Sequence, residues 1–132
     1  MDRLDERAGV LKILFVCTGN VDRSRTAEEM FKGMKGYDVR SAGTSIAANV
    51  CLSRELIDWA EIIFVMEYKH EKAVLKLVPD AWEKVECLDV PDRFYHNQPE
   101  LRRLLIEKLR PYWIGVGKDL PTTPSLSKKE KT

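Results

Sequence analysis

The chain has 132 residues, 44 % of them hydrophobic and 33 % charged, with 22 basic against 21 acidic side chains and a formal net charge of +1. That length fits one domain and that composition excludes wholesale disorder, while the charge balance excludes an overall field for drawing in nucleic acid or an acidic membrane. Any anion must therefore be held by a local pocket. No apolar run approaches the ~20 residues of a membrane span, and the charged N-terminus has no hydrophobic signal core behind it, so no membrane partner is expected and the cytoplasm is the predicted location. The cysteines Cys17, Cys51 and Cys87 are odd in number and widely spaced, and neither His70 nor His96 stands at ligand spacing from them. Neither a disulfide framework nor a structural metal is expected.

In chain order, Leu11–Cys17 reads LKILFVC, an apolar run too short for a helix that suits a buried parallel strand. Residues 18–23 form a loop. From Ser24 onward Ala27, Met30, Phe31 and Met34 recur at helical spacing, with Gly36 as the stop. A second short strand lies around Val39 and closes at Gly43, and residues 53–60 form a helix that turns Leu56, Ile57 and Trp59 to the core. EIIFVM is the third strand, residues 69–78 a helix stopped by Pro79, residues 85–88 a fourth strand, and Pro99–Leu109 an amphipathic helix carrying Leu101, Leu104, Leu105 and Leu109. His70 and His96 lie in polar stretches and are expected at the surface, Trp59, Trp82 and Trp113 at core edges, and Cys51 and Cys87 as inert packing residues.

Strands and helices alternating at these lengths predict an α/β three-layer structure around a four-stranded parallel sheet of order 2-1-3-4, with the phosphate-binding loop after strand 1. The sheet then changes winding direction beside strand 1, and the crevice at its carboxyl end is where such folds place ligands. Residues 1–117 are expected to form the single domain, and residues 118–132, rich in Pro, Ser, Thr and Lys, a mobile tail.

Within CTGNVDRS the spacing from Cys17 to Arg23 closes a tight loop at a helix N-terminus. The amides of Thr18, Gly19, Asn20, Val21, Asp22, Arg23 and Ser24 can converge there on a phosphate-like anion. Gly19 and Asn20 tolerate the positive φ that such a curl requires, and Arg23 adds a planar fork for two oxygens. The same positive field favours a thiolate at Cys17, which makes it a nucleophile. Ten arginines make the bare spacing a weak signal, and Cys87 has Arg93 at the same distance. The intervening LDVPD, however, carries two carboxylates and a proline without an N–H, which is no cradle for a dianion. Only Gly19, Asn20 and Ser24, with a strand before and a helix after, lift Cys17 above a cysteine that merely ends a buried strand.

FVCTGNVDRSRTAE resembles the signature loop of the low-molecular-weight protein tyrosine phosphatases, and the SAGT of residues 41–44 resembles a segment of the same family. ELIDWAEIIFVM is similar to the family's helix and third strand, and VPDRFY to its general-acid loop, with Arg93 where a proline is usual. The likeness spans residues 11–112, and the final helix is similar to that of a shorter prokaryotic subgroup. The resemblance implies two-step hydrolysis of a phosphorylated protein or small aryl phosphate without metal or cofactor. Cys17 forms a cysteinyl phosphate, water releases it, and inorganic phosphate is the product. Asp92 is the implied proton donor with Asp89 in reserve, Ser24 a hydroxyl donor to the sulfur, and Asn20 and Ser41 braces behind the loop. Phe94 and Tyr95, next to that acid, are expected to wall a pocket for an aromatic ester.

Three departures accompany the likeness. Asp22 puts a carboxylate where many relatives have cysteine, Arg25 replaces a common proline, and residues 45–53 form a shorter stretch than in typical members. A carboxylate aimed at the phosphate opposes binding, and one turned outward does not. Two alternatives to the phosphatase remain at this point: an arsenate reductase of similar fold relaying a disulfide through Cys51 and Cys87, and a catalytically weak phosphate-binding module.

Overall fold

The computed structural model describes residues 10–112; the expected tail at 118–132 and Trp113 lie outside the described residues. Four strands, β1 (Leu11–Cys17), β2 (Tyr37–Gly43), β3 (Ile62–Val65) and β4 (Val85–Cys87), form one sheet in the order β2-β1-β3-β4. All its pairings are parallel. The α-helices are α1 (Arg23–Phe31), α2 (Arg54–Trp59), α3 (Tyr68–Leu77) and α4 (Pro99–Leu109).

Alternation along β1 makes the three layers. Ile13, Phe15 and Cys17 face the side covered by Ala27 and Phe31 of α1 and by Leu101, Leu105 and Leu109 of α4. Leu14 and Val16 face the other side, against Ile57 of α2 and Val74 of α3. The period-2 pattern thus reads as apolar throughout because both faces are buried, as the sequence predicts for a central parallel strand. Stacking of Phe15 on Phe31 and Phe64, with ring centroids 6.2 and 5.6 Å apart, ties the sheet to α1. Since β2 and β3 flank β1 on opposite sides, the connections leaving β1 and β2 cover opposite faces, and the crevice opens at the end of β1.

Three local expectations are corrected. The first helix ends at Phe31 rather than running on to Met34. Residues 32–36 turn instead through Met34 N–H to Phe31 O and a left-handed Gly36 at φ +93°, while Met34 still packs on the core. Pro79 does stop α3, but it also opens a 3₁₀ turn, Pro79–Lys84, that buries Ala81. A proline at a first helical position loses no hydrogen bond, so the same residue serves both roles. Trp82 on that turn is 42 % exposed and covers no core edge, whereas Trp59 is half-buried beneath the Arg40 guanidinium, 4.2 Å from its ring. No helix among the described residues is long and apolar enough to cross a membrane.

Behind the end of β1 the chain after β2 folds back on itself: Gly43 N–H donates to Val50 O and Leu52 N–H to Gly43 O, both at 2.8 Å. Gly43 has room for nothing larger. A Cβ there would stand 2.4 Å from the Thr18 carbonyl oxygen and 2.9 Å from the Asn20 nitrogen, both backbone atoms that cannot swing aside. Gly43→Ala is therefore expected to cost about 1–3 kcal/mol, seen as a lowered urea midpoint; an unchanged midpoint would contradict this close approach.

Candidate active site

Cys17 closes β1 with its sulfur buried, and α1 begins six residues later at Arg23. The sulfur lies 3.1 Å from Ser24 Oγ and accepts from Ser24 N–H at 3.5 Å. Asn20 Nδ2 donates to Ser24 Oγ at 2.9 Å and to Ser41 Oγ at 2.8 Å. With Oγ of Ser24 already accepting, its proton is left for the sulfur, the Ala42 carbonyl at 3.4 Å being the other acceptor in reach. Ser41 in turn donates to the Glu28 carboxylate. Asn20 sits at φ +54°, the left-handed turn that the sequence assigns to this part of the loop.

The outside of the loop is tied to the segment after β2. Thr44 N–H and Ser45 N–H donate to the carbonyls of Cys17 and Thr18, both at 2.9 Å, and Asn49 N–H donates to Gly19 O at 3.2 Å. The Asn49 side chain donates to Asn20 O at 2.8 Å. In a trans peptide the C=O and the following N–H point in opposite directions. Four carbonyls facing outward therefore turn the N–H groups of Thr18, Gly19, Asn20 and Val21 toward the inside of the loop. A cavity of about 220 Å³ opens there, lined by Cys17, Thr18, Gly19, Val21, Asp22, Arg23 and Asp92.

Arg23 is 2 % exposed. Its Nη1 pairs with the Glu67 carboxylate and donates to Val90 O at 2.8 Å, while Nη2 is 3.8 Å from Asp92 Oδ1. The Arg23 hydrogen bond holds the Glu67 carboxyl below the usual carboxylate range. Val90 itself is anchored by its N–H to Met66 O at 2.7 Å, so the segment carrying Asp92 hangs from the end of β3. Asp92 is exposed and borders the cavity; Asp89, in a left-handed turn at φ +59°, does not. Asp22 precedes α1 without a side-chain cap and is one of the residues lining the cavity.

The expected aromatic wall is not there. Phe94 is buried in the core against α4, and Tyr95 is 65 % exposed; neither lines the cavity. Alternation after Asp92 decides this, because one of two successive side chains must enter the core. Cys51 and Cys87 are exposed rather than packed. They also lie on opposite edges of the sheet, Cys51 bridged to Gly43 at the end of β2 and Cys87 in β4. That separation suits no disulfide relay between them.

Two residues that matter at the site are not evident from the sequence: Glu67, the partner of Arg23, and His70, which is fully buried and not at the surface. Both ring nitrogens of His70 are satisfied. Nδ1 accepts from Glu67 N–H at 3.0 Å, so the proton resides on Nε2, which donates to Thr18 Oγ1 at 2.8 Å. Burial, reinforced by the Arg23 charge, pushes the ring down from 6.5 to about 4, so it stays neutral. The signal available was its position four residues before the buried Val74, on the inward face of α3.

Residues 12–61 match the family model described as low molecular weight phosphotyrosine protein phosphatase. A protein-arginine-phosphatase of Geobacillus stearothermophilus is 31 % identical over 101 residues, covering 58 % of this chain and 68 % of that protein. Among solved structures, the YwlE arginine phosphatase of the same organism superposes with a TM-score of 0.59 at 29 % identity, over 76 % of this chain and 93 % of its own. Vibrio vulnificus Wzb in complex with benzylphosphonate gives 0.65 at 23 %, over 77 % and 96 %, a likeness of fold.

His70 makes stability depend on pH in a defined window. Unfolded, the ring takes a proton below about 6.5, whereas the folded protein refuses it until about 4. Between those values the unfolded state binds more protons, so stability falls as pH drops, by about 1.4 kcal/mol per pH unit. Urea midpoints should decline from pH 6.5 to 4.5 in the wild type and lose that slope in His70→Gln; parallel profiles would contradict the neutral buried ring.

Proposed function

The chain belongs to the low molecular weight phosphotyrosine protein phosphatase family and is a cysteine-dependent phosphatase, and we propose that residues 17–24 are its catalytic loop, acting on phosphorylated protein side chains of the phosphotyrosine type. The observation that carries this reading is Cys17 lining a cavity of about 220 Å³, its sulfur beside the first turn of α1, with Arg23 and Asp92 on the same walls. The inward N–H groups and Nη2 of Arg23 would grip three phosphoryl oxygens and leave the fourth, bonded to the substrate, facing away from sulfur. That is the in-line geometry for displacement.

In the first step the sulfur forms an S–P bond as the P–O bond to substrate breaks, and Asp92 gives its proton to the departing oxygen. In the second, water attacks phosphorus, Asp92 takes the water's proton, and the sulfur leaves as thiolate into the Ser24 hydroxyl. Inorganic phosphate is released. Thiolate and protonated carboxyl must coexist at the start, so the rate passes through a maximum in pH, expected on the acidic side. Asp89 is not among the residues lining the cavity, which supports Asp92 over it for this role.

A second substrate class has support of its own. Asp22 lines the same cavity as Asp92, and the 31 % identical relative is named a protein-arginine-phosphatase. A guanidinium beyond a P–N bond is cationic and gains from an acidic neighbour such as Asp22, whereas a tyrosine ring does not.

Cys17→Ser is expected to abolish turnover of p-nitrophenyl phosphate while retaining phosphate binding, and Asp92→Ala to lower kcat on phosphotyrosine peptides by ~10²–10⁴. Quenched reactions of Asp92→Ala should carry a phosphate adduct on Cys17 by mass spectrometry; none in either wild type or variant would rule out the covalent route. On substrate class, Asp22→Asn should lower kcat/KM for phosphoarginine peptides and spare or raise it for phosphotyrosine peptides, and a wild type inert toward phosphoarginine would remove the second reading.

A further inference from the structure

We infer that Asn49 is a positioning residue for the phosphate site, acting from behind the loop by fixing the orientation of the two peptides that flank Asn20. The inference rests on the reading of residues 17–24 as the phosphate loop. Of the four outward ties on that loop, two come from the main-chain N–H groups of Thr44 and Ser45, which almost any residue would supply. Asn49 contributes both of the others, its own N–H to Gly19 O and its side-chain amide to Asn20 O. It is the one side chain in that set, and hence the one position of the segment where residue type decides the contact.

What it holds is the part of the loop most able to turn over. Asn20 is a non-glycine residue at φ +54°, and rotation of a whole peptide unit about its two flanking bonds is the low-cost rearrangement of such a turn. A flip of the peptide between Asn20 and Val21 would remove the Val21 N–H from the inside of the loop and put the Asn20 carbonyl oxygen there. An anion would then face the negative end of a dipole in place of the positive end. The Asn20 side chain does not prevent this, because its amide is engaged with Ser24 and Ser41 on the other side. The amide of Asn49, 2.8 Å from the carbonyl oxygen, does.

The brevity of this stretch gives the contact its place. Gly43 is bridged to Cys51, so the segment returns to the sheet within eight residues. That short excursion brings Asn49 against the loop, while Ile46 at its tip stands 95 % exposed. Ile46 therefore serves as the control: it shares the segment and touches none of the ties.

The decisive comparison is isosteric. Asn49→Asp keeps the shape and removes the donor, setting a carboxylate oxygen against the Asn20 carbonyl; Asn49→Ala only removes it. The inhibition constant for inorganic phosphate, KM for p-nitrophenyl phosphate and phosphate protection of Cys17 against iodoacetate are measured on the whole chain. One neutral hydrogen bond predicts about a threefold to tenfold weaker phosphate inhibition in Asn49→Ala, a larger loss in Asn49→Asp, and no change in Ile46→Ala. KM should rise in parallel with the inhibition constant, at a temperature where all four proteins are folded by circular dichroism. Wild-type phosphate constants in both Asn49 variants would overturn the inference and leave the phosphate loop standing, and so would an equal loss in Ile46→Ala. A wild type that neither binds phosphate nor is protected by it would overturn the reading of the loop, and this inference with it.

Discussion

A single buried cation organises this structure. Arg23 begins α1 with its guanidinium out of water, and a charge in that position is tolerable only if fixed partners replace its hydration. Its partners come from two other parts of the chain: Glu67 at the junction of β3 and α3, and the Val90 carbonyl beyond β4. The requirement to satisfy one guanidinium therefore brings three C-terminal ends of the sheet into register around β1. It also leaves Nη2 directed to the side where Asp92 and the cavity lie.

Around that cation the loop is held in two different ways. On the inside, Asn20, Ser24 and Ser41 form a chain of side-chain hydrogen bonds that ends at the Glu28 carboxylate on α1. On the outside, main-chain N–H groups of residues 44–49 and the Asn49 side-chain amide take up the carbonyls. His70 reaches Thr18 from a third direction, neutral and with its tautomer set by Glu67 N–H. Because Glu67 serves both Arg23 and His70, a displacement at the start of α3 is felt by the cation and by the loop together. Preorganisation of this kind spares a ligand the cost of ordering its own site.

What was legible in the sequence follows from the range of the interactions. LKILFVC announces β1 because a strand buried on both faces must be apolar throughout, and the order of strands and helices with right-handed crossovers leaves few arrangements besides 2-1-3-4. The loop is legible because its chemistry is local: Cys17, Gly19, Asn20, Arg23 and Ser24 meet within eight residues. Glu67 and His70 are not, since their partners Arg23 and Thr18 stand 44 and 52 residues away and nothing in EYKHEK marks the pairing. The contact of Asn49 with Asn20, 29 residues apart, is hidden for the same reason. Phe94 enters the core rather than the cavity wall, and adjacency to Asp92 says nothing about which of two neighbours turns inward.

The charges at the cavity constrain how it can take an anion. Arg23 is the one cation on its walls, and Glu67 already pairs with it, while Asp22 and Asp92 are two carboxylates on the same surface. Side-chain charge alone would therefore repel a dianion. On the proposed reading of residues 17–24, the attraction comes from the peptide N–H groups inside the loop and the first turn of α1, whose partial positive charges are aimed at the anion. On the reading of Asp92 as the proton donor, its protonated form also removes one of the two repulsive charges, so the state competent for chemistry is the state that binds phosphate better. Substrate capture and proton supply are then coupled through one carboxyl. Asp22, on the same cavity wall, gives a cationic substrate group a partner that a neutral ring would not use.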